Sequence, residues 1–401
     1  MKAKSQTITN MNVCMVVHAY YPHDESRVQR EAIALHQKGH KIDVICLRKG
    51  KEAIYGQQED GINFYRLPVT RREKPSIVGY IFEYSAFFIL ASIKLNLLFL
   101  RKRYKIIQFH NPPDILVFAG LIPKLLGAKI ILDLHDLMPE LYAAKFNLKI
   151  EQRCTSWLIR VLIFVEQIAC KFADYVLTVT EVWRIRLLKR GVQKEKCSVV
   201  MNLPDERIFK HIKYNTEEKE HFNLIYHGTL VKRYGVDIAI KAVSIINIPN
   251  IKLNIIGDGE ELEELIKLAH SLSLQDKVYF SKKFIPVNVI PDIIAKMDVG
   301  LVPNRVNIFT NDILNAKLLE YVASGIPTIV SRTAGIEYYL DESKVVFFEP
   351  GNAEILAQKI LWLYNNPAER IKLATNAKKF LTQYNWRNEK EKYCAIISSL
   401  S

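Results

Sequence analysis

The segment from residue 311 to 325 holds residues suited to binding a phosphate-bearing ligand. Its pattern predicts a loop that leads into a helix N-terminus, and Gly325 ends that helix. Free N–H groups at such a start bind phosphate oxygens, and Lys317 adds a positive charge. Glu320 lies one helical turn further on, where it can accept hydrogen bonds from ribose hydroxyls. A solvated helix face is the alternative interpretation of Glu320.

Two glycine turns earlier in the same half have related properties. The run from His227 to Gly235 leaves a predicted strand and enters a helix, so Gly228 allows close approach of a ligand. The adjacent Lys232 and Arg233 supply positive charge for a diphosphate. A second turn, at residues 257–259, has the sequence Gly-Asp-Gly and is a weak signal by itself.

In the first half, candidate residues follow predicted strands. His135 and Asp136 come directly after one strand, where a histidine beside a carboxylate can bind a sugar hydroxyl or orient a nucleophile. A structural role is the alternative for His135. Arg27 follows the first strand and either contacts an acceptor phosphate or is solvated. The residues from His110 to Asp114 include two prolines, and we interpret them as a loop that shapes the site.

Short apolar runs alternate with amphipathic stretches in both halves, which predicts two parallel, doubly wound α/β sheets. In such sheets, ligands bind beyond the carboxyl ends of the strands. The helix after the first strand is predicted over Arg27–Lys38. The predicted strands are Val13–Val17, Ile42–Leu47, Ile106–Phe109, Ile130–Leu134, Tyr175–Val179, Leu224–Tyr226, Leu253–Ile256, Val278–Phe280, Val299–Val302 and Thr328–Val330.

Charge and polarity divide the chain. Residues 1–205 contain 31 Lys and Arg against 19 Asp and Glu, whereas the second half is nearly neutral. We predict one domain over 1–205, a second over 206–380, and a helix over 381–401 that returns to the first domain. The basic first half indicates an anionic partner, such as a membrane surface, a lipid phosphate or nucleic acid, with general solubility as the alternative.

The apolar segment Tyr84–Leu100 is followed at once by Arg101, Lys102 and Arg103. A helix buried against the sheet, a membrane-surface helix and a true membrane span are the three alternatives. A span would separate the following strand from its sheet.

Several classes are disfavoured. The six cysteines lack disulfide or zinc spacing, and the turn after the first strand lacks G-x-G-x-x-G, which argues against a nicotinamide dinucleotide fold. Residues Met11 to His18 form a strand-like run, so we expect no signal peptide.

Five motifs together resemble the group 1, or family 4, retaining glycosyltransferases of the GT-B fold, over nearly the whole chain. They are H-Q-K-G-H-K-I-D-V around Gly39, D-L-H-D-L-M-P-E at 133–140, A-D-Y-V-L-T-V-T at 173–180, I-I-G-D-G-E at 255–260 and K-L-L-E-Y-V-A-S-G-I-P at 317–327. The last is the most specific, since it resembles the second half of the family's E-x7-E signature. The sequence of these motifs is most similar to that of members that build bacterial surface polysaccharides.

The resemblance implies transfer of a hexosyl or acetamido sugar from a nucleoside-diphosphate donor, with retention and without an obligatory metal or other cofactor. Glu320 would bind the ribose, His135 would lie near the transferred sugar, and a diphosphate would meet the backbone of Asn315, Ala316, Lys317 and Leu318. The acceptor would be a glycan linked to polyprenyl diphosphate, and the enzyme would lie at the inner face of the plasma membrane. Nucleic acid is not an expected partner.

Three positions depart from the family pattern. Asp312 stands where the family's first glutamate is expected, and His23 to Arg27 replace a glycine-rich loop. Thr229 and Tyr234 replace the usual Arg and Lys of the phosphate turn, with Lys232 and Arg233 between them. Two other functions stay open: a sugar-nucleotide epimerase of GT-B architecture and a non-catalytic scaffold in a polysaccharide assembly complex.

Overall fold

The computed structural model describes residues 10–22, 25–50, 52–57, 61–71, 77–146, 148, 156–210 and 220–400. The chain forms two compact units. The first contains residues 1–201 and 389–401, and the second contains residues 202–388. The predicted boundary after residue 205 therefore lies a few residues late, and the returning segment begins at Glu389 instead of residue 381.

The first unit is built on an eight-stranded sheet with the order β3-β4-β2-β1-β5-β6-β7-β8, in which β3 alone is antiparallel to its neighbour. Its central strands are buried on both faces because helices cover them. The strands are β1 (Asn12–Val17), β2 (Lys41–Leu47), β3 (Tyr55–Gln57), β4 (Asn63–Leu67), β5 (Ile106–His110), β6 (Lys129–Leu134), β7 (Tyr175–Thr178) and β8 (Cys197–Val199).

The helices of the first unit connect these strands, and a 3-10 helix over Asp114–Gly120 follows β5. The α-helices are α1 (Ser26–Gln37), α2 (Ile77–Lys102), α3 (Leu121–Leu125), α4 (Met138–Phe146), α5 (Trp157–Phe172) and α6 (Glu181–Lys189). The last helix of the chain, α14 (Trp386–Leu400), belongs to this unit from Glu389 onward.

The second unit has a six-stranded, fully parallel sheet with the order β11-β10-β9-β12-β13-β14. The strands are β9 (Phe222–His227), β10 (Ile251–Ile256), β11 (Val278–Phe280), β12 (Val299–Val302), β13 (Thr328–Ser331) and β14 (Val346–Phe348). The helices are α7 (Val236–Ile245), α8 (Leu262–Ser271), α9 (Ile290–Ile294), α10 (Ala316–Ser324), α11 (Ala334–Glu337), α12 (Ala353–Asn365) and α13 (Pro367–Gln383).

In both sheets the strand order reverses at the first strand of the unit. In the second unit, β10 pairs with one edge of β9 and β12 pairs with the other. The connections that leave these strands therefore run to opposite faces of the sheet and open a crevice at its carboxyl edge.

The helix α2 is longer than the predicted apolar segment and is buried along one side only. Of its most apolar 18-residue window, 28% is buried, and by length and composition alone the helix could cross a membrane. Phe87, Ala91 and Leu95 face the core, whereas Ile89 and Ile93 are more than half exposed. One stripe of α2 therefore packs on the unit, as a helix buried against the sheet would, whereas the opposite stripe is exposed.

Five of the six cysteines lie among the described residues. Cys14, Cys46, Cys170, Cys197 and Cys394 are buried free thiols. Cys154 lies outside the described residues.

Candidate functional site

A cavity of about 320 Å³ lies at the carboxyl edge of the second sheet, where the strand order reverses. It is bounded by the turns after β9 and β10, by the start of α10 and by an apolar wall from the segment before α9. The lining residues are His227, Gly228, Thr229, Tyr234, Ile256, Gly257, Phe284, Ile285, Val287, Ile290, Asn315, Ala316, Lys317 and Glu320.

The two glycine turns form the floor of this cavity by packing backbone against backbone. Gly228 N–H donates to the Ile256 carbonyl at 2.9 Å, and Leu230 N–H donates to the Asp258 carbonyl at 2.8 Å. A Cβ atom at Gly257 would overlap the Gly228 carbonyl. Only glycine fits this approach, so the weak Gly-Asp-Gly signal has a definite structural cause.

The start of α10 presents backbone donors at the edge of the cavity. Asn315 is the N-cap residue, but its side chain accepts a 2.7 Å hydrogen bond from Asn304 Nδ2 instead of capping the helix. The first N–H groups of a helix have no partner within the helix, so those of Ala316, Lys317 and Leu318 can bind an anion. The Leu318 side chain itself lies in the core.

Lys317 is a buried cation beside two aromatic rings. Its Nζ donates to the Tyr226 hydroxyl at 2.8 Å and lies 4.0 Å from the Tyr226 ring centroid and 4.4 Å from that of Tyr234. Among the described residues it forms no ion pair. Burial lowers the pKa of Lys317 to about 7, and Arg233 contributes in the same direction, whereas Glu320 opposes the shift.

Glu320 is held by a histidine that the sequence analysis did not single out as a ligand. His227 Nε2, at the end of β9, hydrogen-bonds to the Glu320 carboxylate. The His227 ring packs edge-on against Tyr321, with 4.9 Å between the centroids. Because Glu320 lines the cavity, this contact sets the direction in which its free carboxylate oxygen faces.

The charged side chains predicted to bind the donor, three at the diphosphate and Glu320 at the ribose, are only partly brought together. Lys317 and Glu320 line the cavity, and Arg233 is close enough to Lys317 to lower its pKa. The Arg233 guanidinium stacks over Tyr234 at 5.0 Å. Lys232 is exposed and lies outside the cavity lining, because both residues belong to a 3-10 turn whose side chains leave the sheet.

Asp312 is also outside the cavity lining. Its side chain is 5% exposed and accepts a 3.2 Å hydrogen bond from Asn311 Nδ2. Its backbone packs so tightly on Gly335 that a Cβ there would lie 2.5 Å from the Asp312 carbonyl carbon. The backbone at Asp312 is therefore held by its close packing against Gly335, which does not line the cavity.

In the first unit, His135 lies at the carboxyl end of β6 within a buried polar network. Its Nε2 is 3.0 Å from His110 Nδ1 and 3.3 Å from Asp133 Oδ2, and its Nδ1 is 3.7 Å from Glu25 Oε2. Burial by itself lowers the pKa of His135, but the Asp133 carboxylate more than offsets this, so the pKa is raised overall.

Arg27 is fully engaged inside the same network. Two of its nitrogens donate to the two Asp133 oxygens at 2.9 Å, and a third donates to the Val200 carbonyl at 2.7 Å. Glu31 lies 3.1 Å away. Neither expectation for Arg27, an acceptor phosphate contact or a solvated side chain, is correct, because its carboxylate and carbonyl partners bury it at 3% exposure.

Asn111 fixes the backbone around His135 and Asp136. Its Oδ1 accepts from the N–H groups of both residues, at 2.7 and 3.3 Å, and its Nδ2 donates to the Asp136 carbonyl at 2.6 Å. Asp136 is half-buried. The shaping role predicted for the loop after β5 thus has a physical basis, although His23 and Asp24 of the facing loop lie outside the described residues.

Three side chains of this network have metal-ligand chemistry, since atoms of His110, Asp133 and His135 lie within 4.8 Å of one another. Both Asp133 oxygens already accept hydrogen bonds from Arg27. A divalent cation here would sit beside a guanidinium, so the residues do not fit a metal centre.

Comparison with protein families assigns both units. Residues 25–202 match a family described as glycosyl transferase 4-like domain, and residues 207–380 match the family described as glycosyl transferases group 1. The chain is a group 1 glycosyltransferase. The second match covers every residue of the cavity described above.

Relatives of this glycosyltransferase include a sulfoquinovosyl transferase of Arabidopsis thaliana, with 23% identity over 94% of this chain and 72% of the relative. The lipopolysaccharide core biosynthesis glycosyltransferase LpsE of Rhizobium meliloti is 26% identical over 43% of this chain and 48% of its own.

Solved structures show the GT-B fold of the glycosyltransferase. Sucrose-phosphate synthase from Thermosynechococcus elongatus has a TM-score of 0.78 at 16% identity, over 98% of this chain and 99% of that one. Anabaena HepE in complex with UDP has a TM-score of 0.69 at 15% identity, over 97% and 100%. The enzyme thus uses a nucleotide-sugar donor, as group 1 members do.

Proposed function

We propose that the enzyme binds the donor diphosphate at the start of α10 and transfers the sugar to a glycan hydroxyl. The observation that carries this proposal is the meeting of three features in one cavity: free helix N–H groups, the buried cation of Lys317 and the carboxylate of Glu320. Each matches one part of a nucleoside diphosphate. UDP-sugars are the first donors to test, because a structural neighbour was solved with UDP.

The proposed chemistry retains anomeric configuration. The bond from the sugar C1 to the β-phosphate oxygen breaks, the acceptor oxygen bonds to C1 on the same face, and its proton passes to the departing phosphate. Lys317, Arg233 and the α10 amides would stabilise the negative charge on that phosphate, so the step needs neither an obligatory metal nor a protein base. His135 is the candidate for contact with the sugar or acceptor, and Asp136 is a second acceptor-side candidate.

The proposed acceptor is a lipid-linked glycan of a cell-surface polysaccharide. The support is similarity to LpsE, whose name places it in lipopolysaccharide core biosynthesis, and to a protein of a Klebsiella pneumoniae cps region. A hexose or acetamido sugar donor and a position on the cytoplasmic face of the plasma membrane complete the proposal. Nucleic acid is not a proposed partner.

Product analysis by NMR tests the proposal. Purified enzyme is incubated with a donor series based on UDP, GDP, dTDP and ADP, with and without lipid-linked acceptors. We expect product only with acceptor, and with the anomeric configuration of the donor. A new sugar nucleotide formed without acceptor would instead show an epimerase, and a protein whose melting temperature responds to no donor would be a scaffold.

A further inference from the structure

One side of the first unit carries an apolar surface formed by α2, α3 and α5. The helices are contiguous, since the Lys124 ammonium of α3 lies 5.2 Å from the Phe172 ring of α5. Phe172 also contacts Phe118, in the 3-10 helix against which α2 packs. We call these three helices the apolar surface.

The exposed apolar residues recur at helical spacing. Along α2 they lie on one side of the helix, at steps of three or four residues from Ile89 onward, and are 54–74% exposed: Val78, Ile81, Phe82, Ile89, Ile93, Leu97 and Leu100. Along α5 the stripe is Trp157, Val161, Phe164 and Ile168, and on α3 and just beyond it is Leu121, Ile122, Leu125 and Leu126. Stripes that face water in a folded chain are normally polar, so this surface indicates a non-aqueous partner.

The charges on the same helices all have one sign where they are exposed. The basic residues are Lys94, Arg101, Lys102, Lys124, Arg160 and Lys171. Arg101, Arg160 and Lys171 are exposed, whereas Lys102 is paired with Asp43 and Lys124 with Asp174. The only acidic residues in these three helices are Glu83 and Glu166, and both are buried. Glu83 lies 3.2 Å from His18, and Glu166 is paired with Arg190 at 2.8 Å.

The opposite stripe of α2 shows how the helix can meet a bilayer. Phe87, Ala91, Leu95 and Phe99 are at most 3% exposed, and the Glu83–His18 contact joins α2 to the end of β1. Spanning a membrane would remove these contacts from the unit and pull on β5, which begins at Ile106. The helix can therefore lie in the plane of a membrane surface without unfolding its neighbours.

From these observations we infer that α2, α3 and α5 dock the enzyme in-plane on an anionic lipid bilayer. Their apolar stripes lie in the headgroup region, and the exposed Arg101, Arg160 and Lys171 lie at the lipid phosphates. The inference deepens the proposed function, because a lipid-linked acceptor lies at such a surface. It names the helices that contact the membrane and their orientation, which the proposed function leaves open.

Vesicle co-sedimentation of the full chain tests the inference. Vesicles of phosphatidylcholine and phosphatidylglycerol are compared with vesicles of phosphatidylcholine alone. We expect the triple variant Ile89→Gln, Ile93→Gln, Leu97→Gln to bind the anionic vesicles at least about tenfold more weakly than wild type. The matched control Ile245→Gln, Tyr279→Gln, Ile371→Gln changes residues that are 43–59% exposed on the second unit and should bind as wild type does.

A second readout covers the case in which the triple variant does not fold. Trp157 is 75% exposed, so bromine-labelled acyl chains should quench its fluorescence in the wild type, and Trp157→Phe should remove that quenching. The inference would be overturned if the folded triple variant bound vesicles as strongly as wild type, or if the lipids did not quench Trp157. It would also be overturned if the wild type did not bind vesicles but formed a dimer that the triple variant does not form. Thermal stabilisation by the donor, measured without vesicles, tests the proposed donor binding separately.

Discussion

Lys317 is buried between two tyrosine rings, and its charge is therefore costly until an anion arrives. Desolvation lowers its pKa to about 7, well below the ordinary lysine value, and the nearest hydrogen-bonding partner is the neutral Tyr226 hydroxyl. A diphosphate at the start of α10 would supply the missing negative charge. Donor binding should then raise the pKa of Lys317 and take up a proton.

The first prediction concerns the pH dependence of donor affinity. The empty site loses its ammonium charge above pH 7, whereas the complex keeps it, so the Kd for a nucleotide sugar should rise with pH above 7 by up to about tenfold per unit. Calorimetry in buffers of different ionisation enthalpy measures the proton uptake. Lys317→Met should abolish both effects, and a Kd independent of pH between 7 and 9 in the wild type would refute the role of Lys317.

The same shift predicts how stability depends on pH. In the free enzyme, the folded pKa of Lys317 lies below the unfolded value, so between pH 7 and 10 the unfolded chain holds the extra proton. The contribution of Lys317 to stability therefore rises as the pH rises through this window. Its replacement by Met should flatten the rise, which urea unfolding at several pH values would reveal.

The second residue-scale prediction concerns His227 as a positioning residue. His227→Phe keeps a ring against Tyr321 but removes the donor to Glu320, so the carboxylate loses its fixed direction. The donor KM should rise about 10- to 100-fold with a smaller change in kcat, because a hydrogen bond to a charged group contributes about 1.5–3 kcal/mol. His227→Gln restores an Nε2 donor and should recover most of the affinity. If both variants have the wild-type KM, His227 does not position Glu320.

The position of a site residue was predictable from sequence where the local sequence pattern alone determines it. Lys317 and Glu320 were predicted because a loop-to-helix signal and their spacing place them on one helix face. His227 and Asp133 were missed as site residues since each is the final or inner residue of a strand, and nothing local tells which loop faces it. Arg27 was misread because its partners lie more than 100 positions away, at Asp133 and Val200.

The turns after β9 and β10 act as one element, because their backbones touch at Gly228 and Gly257. We predict that Gly257→Ala destabilises the second unit and weakens donor binding, as the added Cβ would overlap the Gly228 carbonyl. Gly127→Ala is the matched control, since Gly127 has φ +94° but no atom within 4 Å of an added Cβ.

The control should cost about 1–2 kcal/mol through backbone strain alone. Gly257→Ala should cost an additional ~1–3 kcal/mol through overlap. Urea unfolding measures both, and donor titration should separate them further, because only Gly257→Ala changes the cavity. Equal costs for the two variants would show that the turns are not in tight contact.

Strands in the interior of a sheet were mostly predictable, and most strands at a sheet edge were not. All ten predicted strands are present, eight of them with shifted ends, because buried parallel strands are apolar on both faces. The strands that were not predicted are β3, β8 and β14, at sheet edges, and β4, next to an edge, and each is only three to five residues long. The partial exposure of α2 could not be predicted, since both of its stripes are apolar.

At the scale of the molecule, the chain returns to the first unit through α14 and inserts a tyrosine into its polar network. Tyr393 is fully buried, and its hydroxyl donates to Gln108 Oε1 at 2.6 Å. Gln108 Nε2 in turn donates to Glu31 at 2.8 Å. Burial raises the pKa of Glu31 to about 7, whereas Arg27 opposes that shift.

We predict that Tyr393→Phe lowers the free energy of unfolding by about 1–3 kcal/mol, because it leaves the buried Gln108 oxygen without its donor. Tyr338→Phe, at a residue that is 52% exposed, is the control and should change stability by less than about 0.5 kcal/mol. Equilibrium urea unfolding followed by tryptophan fluorescence measures the difference. An unchanged midpoint in Tyr393→Phe would mean that the Tyr393 hydrogen bond does not stabilise the docked α14.

The two-unit division was predicted within a few residues from the polar segment after residue 204 and from the repeated strand pattern. The start of the return at Glu389 was not, since a surface helix and a docked terminal helix share one amphipathic pattern. Its docking depends on single contacts such as Glu389 Oε2 accepting from the Met201 N–H at 2.8 Å.

Calorimetric titration of the free enzyme with nucleotide sugars tests most directly whether the α10 cavity is the donor site. We predict saturable binding of one nucleotide series, with UDP-sugars tested first, and binding at least about tenfold weaker in both Lys317→Met and Glu320→Gln. The control Lys344→Met, which removes an ion pair with Asp341 outside the cavity, should bind the donor as wild type does. Unchanged binding in the Lys317 and Glu320 variants would place the donor elsewhere and contradict the account.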